Sequence, residues 1–345
     1  KLPPFERVGI AGRNALAQHM LNAIASLLSS PPPPPPQPVS KLPPFEQLYI
    51  FAALIAGLLL LLAAQRPPPK GTVARWLPAP GEKRVYETWV LWYSIVWMGA
   101  FGVIIALELY EEFTAATYFL VCGGLAAPLV LRELARGGAD GRPLGERHGA
   151  RAQLWIAIFG FIGNYWYTHY FYCVLRARYT VPAWRLNDVP ICMYLATHFY
   201  FSSYHVFANL ALRRVATGFA PGNLRTALFA YVVCALSYAT AFMETLTISH
   251  FPYYDFEDRH MAYTLGSAFY GIYFLVSFPV YYALDEPGNT PLEGTGLRGV
   301  ALSSLGAGML VLLLLDLTRL AAAGAPLTIG GKLWEVTPKG LAGSA

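Results

Sequence analysis

Seven stretches, each close to the ~20 mostly apolar residues needed to cross a bilayer, recur along the chain and limit its possible folds. They lie at approximately 88–107, 114–131, 153–175, 191–212, 226–248, 261–284 and 299–320. A backbone surrounded by lipid must satisfy its own hydrogen bonds, which favours helices over irregular structure. The pattern therefore predicts an all-α, polytopic transmembrane bundle of about seven spanning helices.

The composition also indicates a membrane protein. Hydrophobic residues make up 55% of the chain and charged residues only 13%, whereas a soluble domain carries about 25% charged residues. The net charge of +5 is small for 345 residues, and the basic residues lie between apolar stretches, so we expect no nucleic-acid partner. The four cysteines show neither metal-type spacing nor a disulfide pattern, and we interpret them as reduced packing residues.

The first 80 residues differ from the rest. The hexapeptide KLPPFE occurs at residue 1 and again at residue 41, with a run of prolines at 31–36 between the two copies. Such a run cannot form a helix, so this part is predicted to be poorly ordered. An apolar run at 48–64 is compatible with an extra spanning helix, an anchor or the hydrophobic part of a targeting segment. We therefore divide the chain into a Pro-rich segment (1–80), a transmembrane domain (82–320) and a tail (321–345).

Arginines gather on alternate connections between the apolar stretches. Several lie within 132–151 and 213–225, two connections that fall on the same side of a seven-span bundle. On the other side, the turn at 108–113 carries three glutamates and no basic residue, although four arginines lie elsewhere on that side. Because cytosolic loops carry an excess of Lys and Arg, the arginine-rich side is predicted to face the cytosol.

Polar side chains interrupt three of the apolar stretches. The third contains Asn164 and His169, and the next two carry polar residues at helical spacing: His198, Ser202, His205 and Asn209, then Ser237, Thr240, Glu244 and Thr247. Each set should form one stripe on its helix. Hydrogen bonds between helices remain the simple explanation for the Ser and Thr residues. A carboxyl group is costly in lipid, so Glu244 is the strongest functional candidate.

The segment that follows, 249–260, packs acids, histidines and aromatic residues into a short loop. Pro252 is predicted to end the preceding helix. Asp255 and Asp258 either cap the next helix or have a functional role, and a plain solvated loop remains the default for the other charged residues.

The histidines do not form a metal-binding pattern. His198 and His205 are two turns apart, ~10 Å along a helix, which is too far for both to bind one ion. No phosphate-binding loop, nucleophile elbow or dinucleotide fingerprint occurs in the context that it requires. The sequence predicts neither a metal nor a cofactor.

Several motifs are long and unusual in composition. They are QLWIAIFGFIGNYWYTHYF at 153–171, YTVPAWRLNDVP at 179–190, FSSYHVFANLALRR at 201–214, ETLTISHFPYYDFEDR at 244–259, YFLVSFP at 273–279 and the pair Asp285-Glu286. Together they resemble the cycloeucalenol cycloisomerase family, the cyclopropyl sterol isomerases of plants and algae. The resemblance covers approximately 82–320 and leaves out the first 80 residues and the tail. It implies an isomerase of the endoplasmic reticulum membrane that opens the 9β,19-cyclopropane ring of cycloeucalenol and gives obtusifoliol.

The implied reaction suits the polar residues already singled out. One proton is added at C19 and one is lost from C8, so no redox cofactor is required. A cyclopropane is a very weak base and needs a well-placed acid, and a carboxyl group in apolar surroundings keeps its proton because burial disfavours the charged form. Glu244 is therefore predicted to be the proton donor, and histidines can accept or relay a proton. The further catalytic candidates are His198, His205, His169, Asp255 and Asp258.

Ring opening also creates positive charge at C9, which an aromatic face stabilises by ~2 kcal/mol when the cation is desolvated. The residues predicted to bind the sterol are Asn164, Tyr165, Trp166, Tyr167, Asn209, Tyr253 and Tyr254. Ordinary packing remains the alternative for each aromatic residue. The expected partners are the sterol substrate and membrane lipid.

Two other classes of membrane protein remain open on the residues alone. A proton-coupled transporter would use Glu244 and the histidines as a proton path, although no internal repeat is evident within 82–320. A seven-helix lipid receptor is compatible with the number of spans and the arginine-rich side.

Overall fold

The structure of the chain is a computed structural model. It describes residues 43–135, 142–171, 177–256, 259–286 and 296–322 and two short strands at 327–329 and 332–334. Side chains at 167–170, at 319, at 322 and in those two strands lie outside the described part.

Long helices account for most of the described residues. They are α1 (Glu46–Ala63), α2 (Glu82–Ala106), α3 (Ala115–Ala135), α4 (His148–Phe171), α5 (Ile191–Gly218), α6 (Asn223–His250), α8 (Ser267–Ala283) and α9 (Gly296–Ala322). A short helix, α7 (Arg259–Met261), continues through a π-turn (Ala262–Gly266) into α8, and two 3₁₀ turns lie at Leu109–Glu112 and Leu144–Glu146. Each of the seven predicted stretches corresponds to a helix, and α6 ends two residues before Pro252, so the predicted helix end is confirmed.

Within the described residues, six segments are long and apolar enough to cross a bilayer: α1, α2, α3, α6, the stretch Arg259–Ala283 and most of α9. The predicted polytopic helix bundle is thereby confirmed, and the chain is a multi-pass membrane protein. α4 and α5 have 24 and 28 residues but a lower mean hydropathy, because they carry the polar residues noted above. α5 is central, since α2, α3, α4, α6 and α8 all pack against it.

The apolar run 48–64 forms α1, which packs antiparallel to α6. Gln47 Nε2 donates to the Tyr238 hydroxyl (2.9 Å), and the Tyr231 hydroxyl donates to the Leu54 carbonyl (2.8 Å). These contacts favour an additional spanning helix among the three alternatives for this run. Residues 1–42 and most of the tail lie outside the described residues, and the division at residue 80 stays a prediction.

Small antiparallel ribbons connect some of the helices. β1 (Ala177–Tyr179) pairs with β4 (Tyr254–Phe256), and we call this end of the bundle the ribbon end. β2 (Arg185–Leu186) pairs with β3 (Val189–Pro190) around Asn187 and Asp188, whose φ angles of 50° and 64° suit a tight hairpin turn. β5 (Leu327–Ile329) pairs with β6 (Lys332–Trp334).

The arginine-rich end lies opposite, and several of its arginines lie within helices rather than at their predicted loop positions. Arg151 lies within α4 and Arg213 within α5, and both are buried. The Arg213 guanidinium donates to the carboxylates of Glu87 (2.9 Å) and Glu286 (2.7 Å). Both arginines can be buried because each forms an ion pair with an acidic residue that lies on another helix or directly follows one.

Asp285 belongs to the same end and follows α8. Its carboxylate contacts His148 Nδ1 (2.7 Å) and Arg151 Nη1 (3.0 Å). Burial alone would raise the pKa of Asp285, but the hydrogen bond with His148 and the charge of Arg151 hold this pKa below its usual value.

Candidate active site

A cavity of about 470 Å³ lies between the helices towards the ribbon end. Residues of α2, α3, α4, α5, α6, α8, β1 and β4 line it, and about half of them are aromatic. Ligand sites of this kind are typically ~300–1,000 Å³, mostly apolar, with a few polar groups that fix orientation. The cavity therefore suits a hydrophobic molecule with few polar atoms.

Among the described residues, Glu244 is the only one of the Asp, Glu, His, Lys and Arg side chains that lines this cavity. α6 places Glu244 six residues before the helix end, ~9 Å along the axis, in a helix that is long and apolar enough to cross a bilayer. Its carboxyl group forms a hydrogen bond with the Tyr270 hydroxyl, and its Oε2 is buried without a further partner in the described structure. This arrangement gives one carboxyl group, held from α8, at the wall of an apolar cavity.

Aromatic side chains surround that carboxyl group. Tyr200 and Tyr204, one turn apart on α5, line the cavity within electrostatic range of Glu244. The Trp97 ring lies 4.9 Å from the Tyr200 ring. These three residues and Tyr270 were not among the residues predicted from the sequence, although the i, i+4 spacing of Tyr200 and Tyr204 was a signal for those two.

The two predicted relay histidines lie elsewhere on α5, because the stripe that holds them faces the protein core. His205 Nε2 is 2.8 Å from Ser277 Oγ on α8, and its Nδ1 is 2.7 Å from the Phe201 carbonyl oxygen. His198 is buried, and its Nε2 has no partner among the described residues. Neither residue lines the cavity, so the structure does not bring them together with Glu244.

A comparison with known proteins gives the family. A protein from Arabidopsis thaliana named cycloeucalenol cycloisomerase is 41% identical over 251 residues, which cover 71% of this chain and 88% of that protein. The chain belongs to the cycloeucalenol cycloisomerase family. It is therefore an isomerase, and the resemblance predicted from the motifs is confirmed. No family model matches the chain, and no solved structure is similar to it.

The cycloisomerase motif 153–171 contributes one of its predicted polar residues to the cavity. Asn164 lines it and donates from Nδ2 to the Gly160 carbonyl (2.8 Å). Tyr165 and Trp166 do not line it, since Trp166 is 38% exposed on the bundle surface and the Tyr165 ring stacks on Phe161. The side chains of Tyr167 and His169 lie outside the described residues.

The remaining predicted site residues are divided between the ribbon and the buried ion pairs. Tyr254 lines the cavity, and its hydroxyl donates to Met193 Sδ (3.2 Å). Tyr253 packs against other rings and does not line the cavity. Asp255 is exposed on β4, where it pairs with Arg178 of β1, and it does not cap a helix. Asn209 donates to Glu87 (2.8 Å), away from the cavity, and Asp258 lies outside the described residues.

A second cavity, of about 1100 Å³, lies at the arginine-rich end and is lined by charged groups. Several of these groups pair with one another, as Arg142 does with Glu82 (3.3 Å) and Arg151 with Asp285 (3.0 Å). Such a surface does not suit a hydrocarbon ligand. Among the described residues, no three His, Cys, Asp or Glu side chains lie close enough to hold a metal ion in either cavity.

Proposed function

We propose that the chain opens the 9β,19-cyclopropane ring of cycloeucalenol and releases obtusifoliol, in sterol biosynthesis at the endoplasmic reticulum membrane. The observation that carries this proposal is a single carboxyl group, that of Glu244, in an apolar cavity walled by aromatic rings. The 41% identity to a cycloeucalenol cycloisomerase supports the choice of substrate.

In the first step, Glu244 donates its proton to C19 of the sterol. The C9–C19 bond breaks, its electron pair forms the new C19–H bond, and C9 becomes positively charged. A cyclopropane accepts a proton only from an acid placed close to it, because proton transfer depends on geometry before it depends on acidity. The hydrogen bond from Tyr270 on α8 fixes the direction of the carboxyl group.

Aromatic side chains stabilise the cation that follows. Tyr200, Tyr204 and Trp97 line the same cavity, and each aromatic face offers ~2 kcal/mol to a desolvated cation. The packed rings also exclude water, which would otherwise add to C9 and give an alcohol.

In the second step, a base removes the hydrogen from C8, and its bonding pair forms the C8–C9 double bond. His198 and His205 do not line the cavity, so we assign this role to the Glu244 carboxylate left by the first step. In a natural steroid the C8 hydrogen projects on the β face, the same face as C19, so one carboxyl group is placed to serve both atoms. The carboxyl group is then protonated again, and no cofactor is consumed.

The orientation of the bundle follows from the same proposal. Arginines at one end place that end in the cytosol and the cavity in the opposite leaflet. A sterol in that leaflet has its hydroxyl group near the ribbon end, where the Tyr254 hydroxyl donates to a thioether sulfur, which is a weak acceptor.

The direct test is sterol analysis of cells that lack the endogenous isomerase, express this chain and receive cycloeucalenol. We expect obtusifoliol to accumulate while the cyclopropyl sterol decreases. Unchanged cycloeucalenol, with the protein present in the endoplasmic reticulum membrane fraction, would reject this function and favour a transporter or a lipid receptor.

A further inference from the structure

We propose that the sterol enters and leaves the cavity directly from the bilayer, through an opening between α2 and α6. This inference names the route to the site and rests on the proposed function for the identity of the ligand.

The opening is defined by residues that line the cavity and are also exposed. Met98 (53% exposed) and Ile105 (51%) lie on α2, and Met243 (53%) lies on α6. Gly102 on α2 and Thr247 on α6 share both properties. The cavity therefore reaches the surface where these two helices face each other.

The packing of the helices explains why a gap exists at this position. α2 and α6 each pack against α5, and within the described residues they make little contact with one another. Phe207 of α5 lines the cavity and is 40% exposed, as expected for a residue at the base of the gap. Methionine side chains are flexible and adapt to different shapes, so Met98 and Met243 can move aside for a passing ligand.

The opening faces hydrocarbon and not water. Gly102 lies four residues before the end of α2, and Met243 lies seven residues before the end of α6, which are ~6 Å and ~10 Å along the helices. Both helices are apolar enough to span. A sterol has one hydroxyl group and is otherwise hydrocarbon, so it reaches such an opening by diffusion within the membrane.

The ribbon end is closed by packed rings. The Tyr110 ring lies 4.8 Å from the Phe251 ring, and Phe171 stacks on Tyr179 at 4.4 Å. These four residues also line the cavity, so they separate it from the aqueous side of the bundle. Among the described residues, those that line the cavity and are exposed all lie at the gap between α2 and α6, which favours this route for a water-insoluble ligand.

Two glycines of α2 provide a matched test. A Cβ atom at Gly102 or at Gly99 would meet no atom within 4 Å, so a side chain can be added at either position without a clash at Cβ. Only Gly102 lines the cavity. Gly102→Trp should fill the opening, whereas Gly99→Trp adds the same bulk to a lipid-facing surface nearby.

The experiment measures the exchange of the fluorescent sterol dehydroergosterol between phosphatidylcholine vesicles and the reconstituted protein, followed by energy transfer from tryptophan. We expect Gly102→Trp to slow association and dissociation at least tenfold relative to Gly99→Trp, with the equilibrium affinity unchanged. An intermediate variant, Gly102→Leu, should slow both rates by a smaller factor. With cycloeucalenol, kcat/KM should fall in the same order.

An association rate for Gly102→Trp within twofold of that for Gly99→Trp would overturn the proposed route. The proposed route would also be overturned if the unmodified protein bound no sterol. If the unmodified protein binds dehydroergosterol but does not convert cycloeucalenol, the proposed function fails, while the binding rates still decide the route.

Discussion

Replacing Arg213 should unfold the protein at a markedly lower temperature, because its guanidinium group is the centre of the buried ion pairs. Arg213 is 1% exposed. All five N–H donors of its guanidinium are used: two bonds go to Glu87, two to Glu286 and one to the Trp76 carbonyl. These contacts join α5 to α2, to the end of α8 and to the segment before α2.

The magnitude follows from what Arg213→Ala leaves behind. The carboxylates of Glu87 and Glu286 remain buried. Lys83 lies 2.9 Å from Glu286, and among the described residues the remaining side-chain hydrogen bond to Glu87 comes from the amide of Asn209. Removing one partner of a buried ion pair costs about 3–5 kcal/mol. With an unfolding entropy of about 2.1 cal/mol/K per residue, a chain of 345 residues shifts by about 1.4 °C per kcal/mol, so Tm should fall by about 4–7 °C.

The assay is thermal unfolding of the detergent-solubilised protein, followed by the fraction that remains monodisperse on size exclusion. The matched control is Arg214→Ala, the next residue of α5, whose guanidinium lies over the Trp76 ring at 5.8 Å. A partly exposed cation–π contact contributes about 0.5–1 kcal/mol, so this control should shift Tm much less.

A compensating variant separates charge from packing. Arg213→Met combined with Glu87→Gln removes the carboxylate that would be left without a cation, while Glu286 keeps Lys83 as its partner, so this variant should recover most of the loss. If Arg213→Ala lowers Tm no more than Arg214→Ala does, the account of the buried ion pairs is wrong.

Two further predictions concern the carboxyl groups at the two ends. Tyr270→Phe removes the hydrogen bond that orients Glu244, so kcat should fall about tenfold with KM unchanged. The control is Tyr273→Phe: the Tyr273 hydroxyl bonds to a carbonyl oxygen at 3.4 Å, and kcat of this variant should stay within threefold of that of the unmodified protein. Equal effects of the two changes in steady-state assays would contradict the positioning role. Asp285 has a pKa below its unfolded value of about 3.9, so its contribution to stability is complete above that value and is lost as the pH falls through the lower, folded pKa. Asp285→Asn, which the positive φ of 55° tolerates, should therefore flatten the acid limb of Tm measured from pH 5 to pH 2. An unchanged limb would argue against this ion pair.

Much of the fold could be predicted because its signal is local. Each spanning helix is a run of apolar residues of the required length, and the lipid leaves the backbone few alternatives. Glu244 could be predicted for a similar reason, since a carboxyl group within such a run is costly wherever the helix packs.

The face of α5 that forms the site could not be predicted. His198 and His205 lie on a polar stripe, but this stripe makes contacts such as His205 with Ser277, while the cavity is formed by Tyr200 and Tyr204. A central helix is covered on all sides, so its pattern does not show which neighbour each face meets.

Arg213 shows a second limit of the sequence. Its charge was assigned to a cytosolic loop, whereas its partners Glu87 and Glu286 lie 126 and 73 residues away in the chain. Such pairs become evident only when the helices are placed together.

The most direct test of the mechanism is the turnover of purified Glu244→Gln with cycloeucalenol, alongside Thr247→Val, a cavity residue one turn away on α6. Glutamine keeps the shape of the side chain but has no proton to donate to a hydrocarbon. We therefore expect Glu244→Gln to bind dehydroergosterol normally and to form no obtusifoliol. Thr247→Val should keep an activity within threefold of that of the unmodified protein. Obtusifoliol formed by Glu244→Gln at a rate close to that of the unmodified protein would show that another group protonates C19.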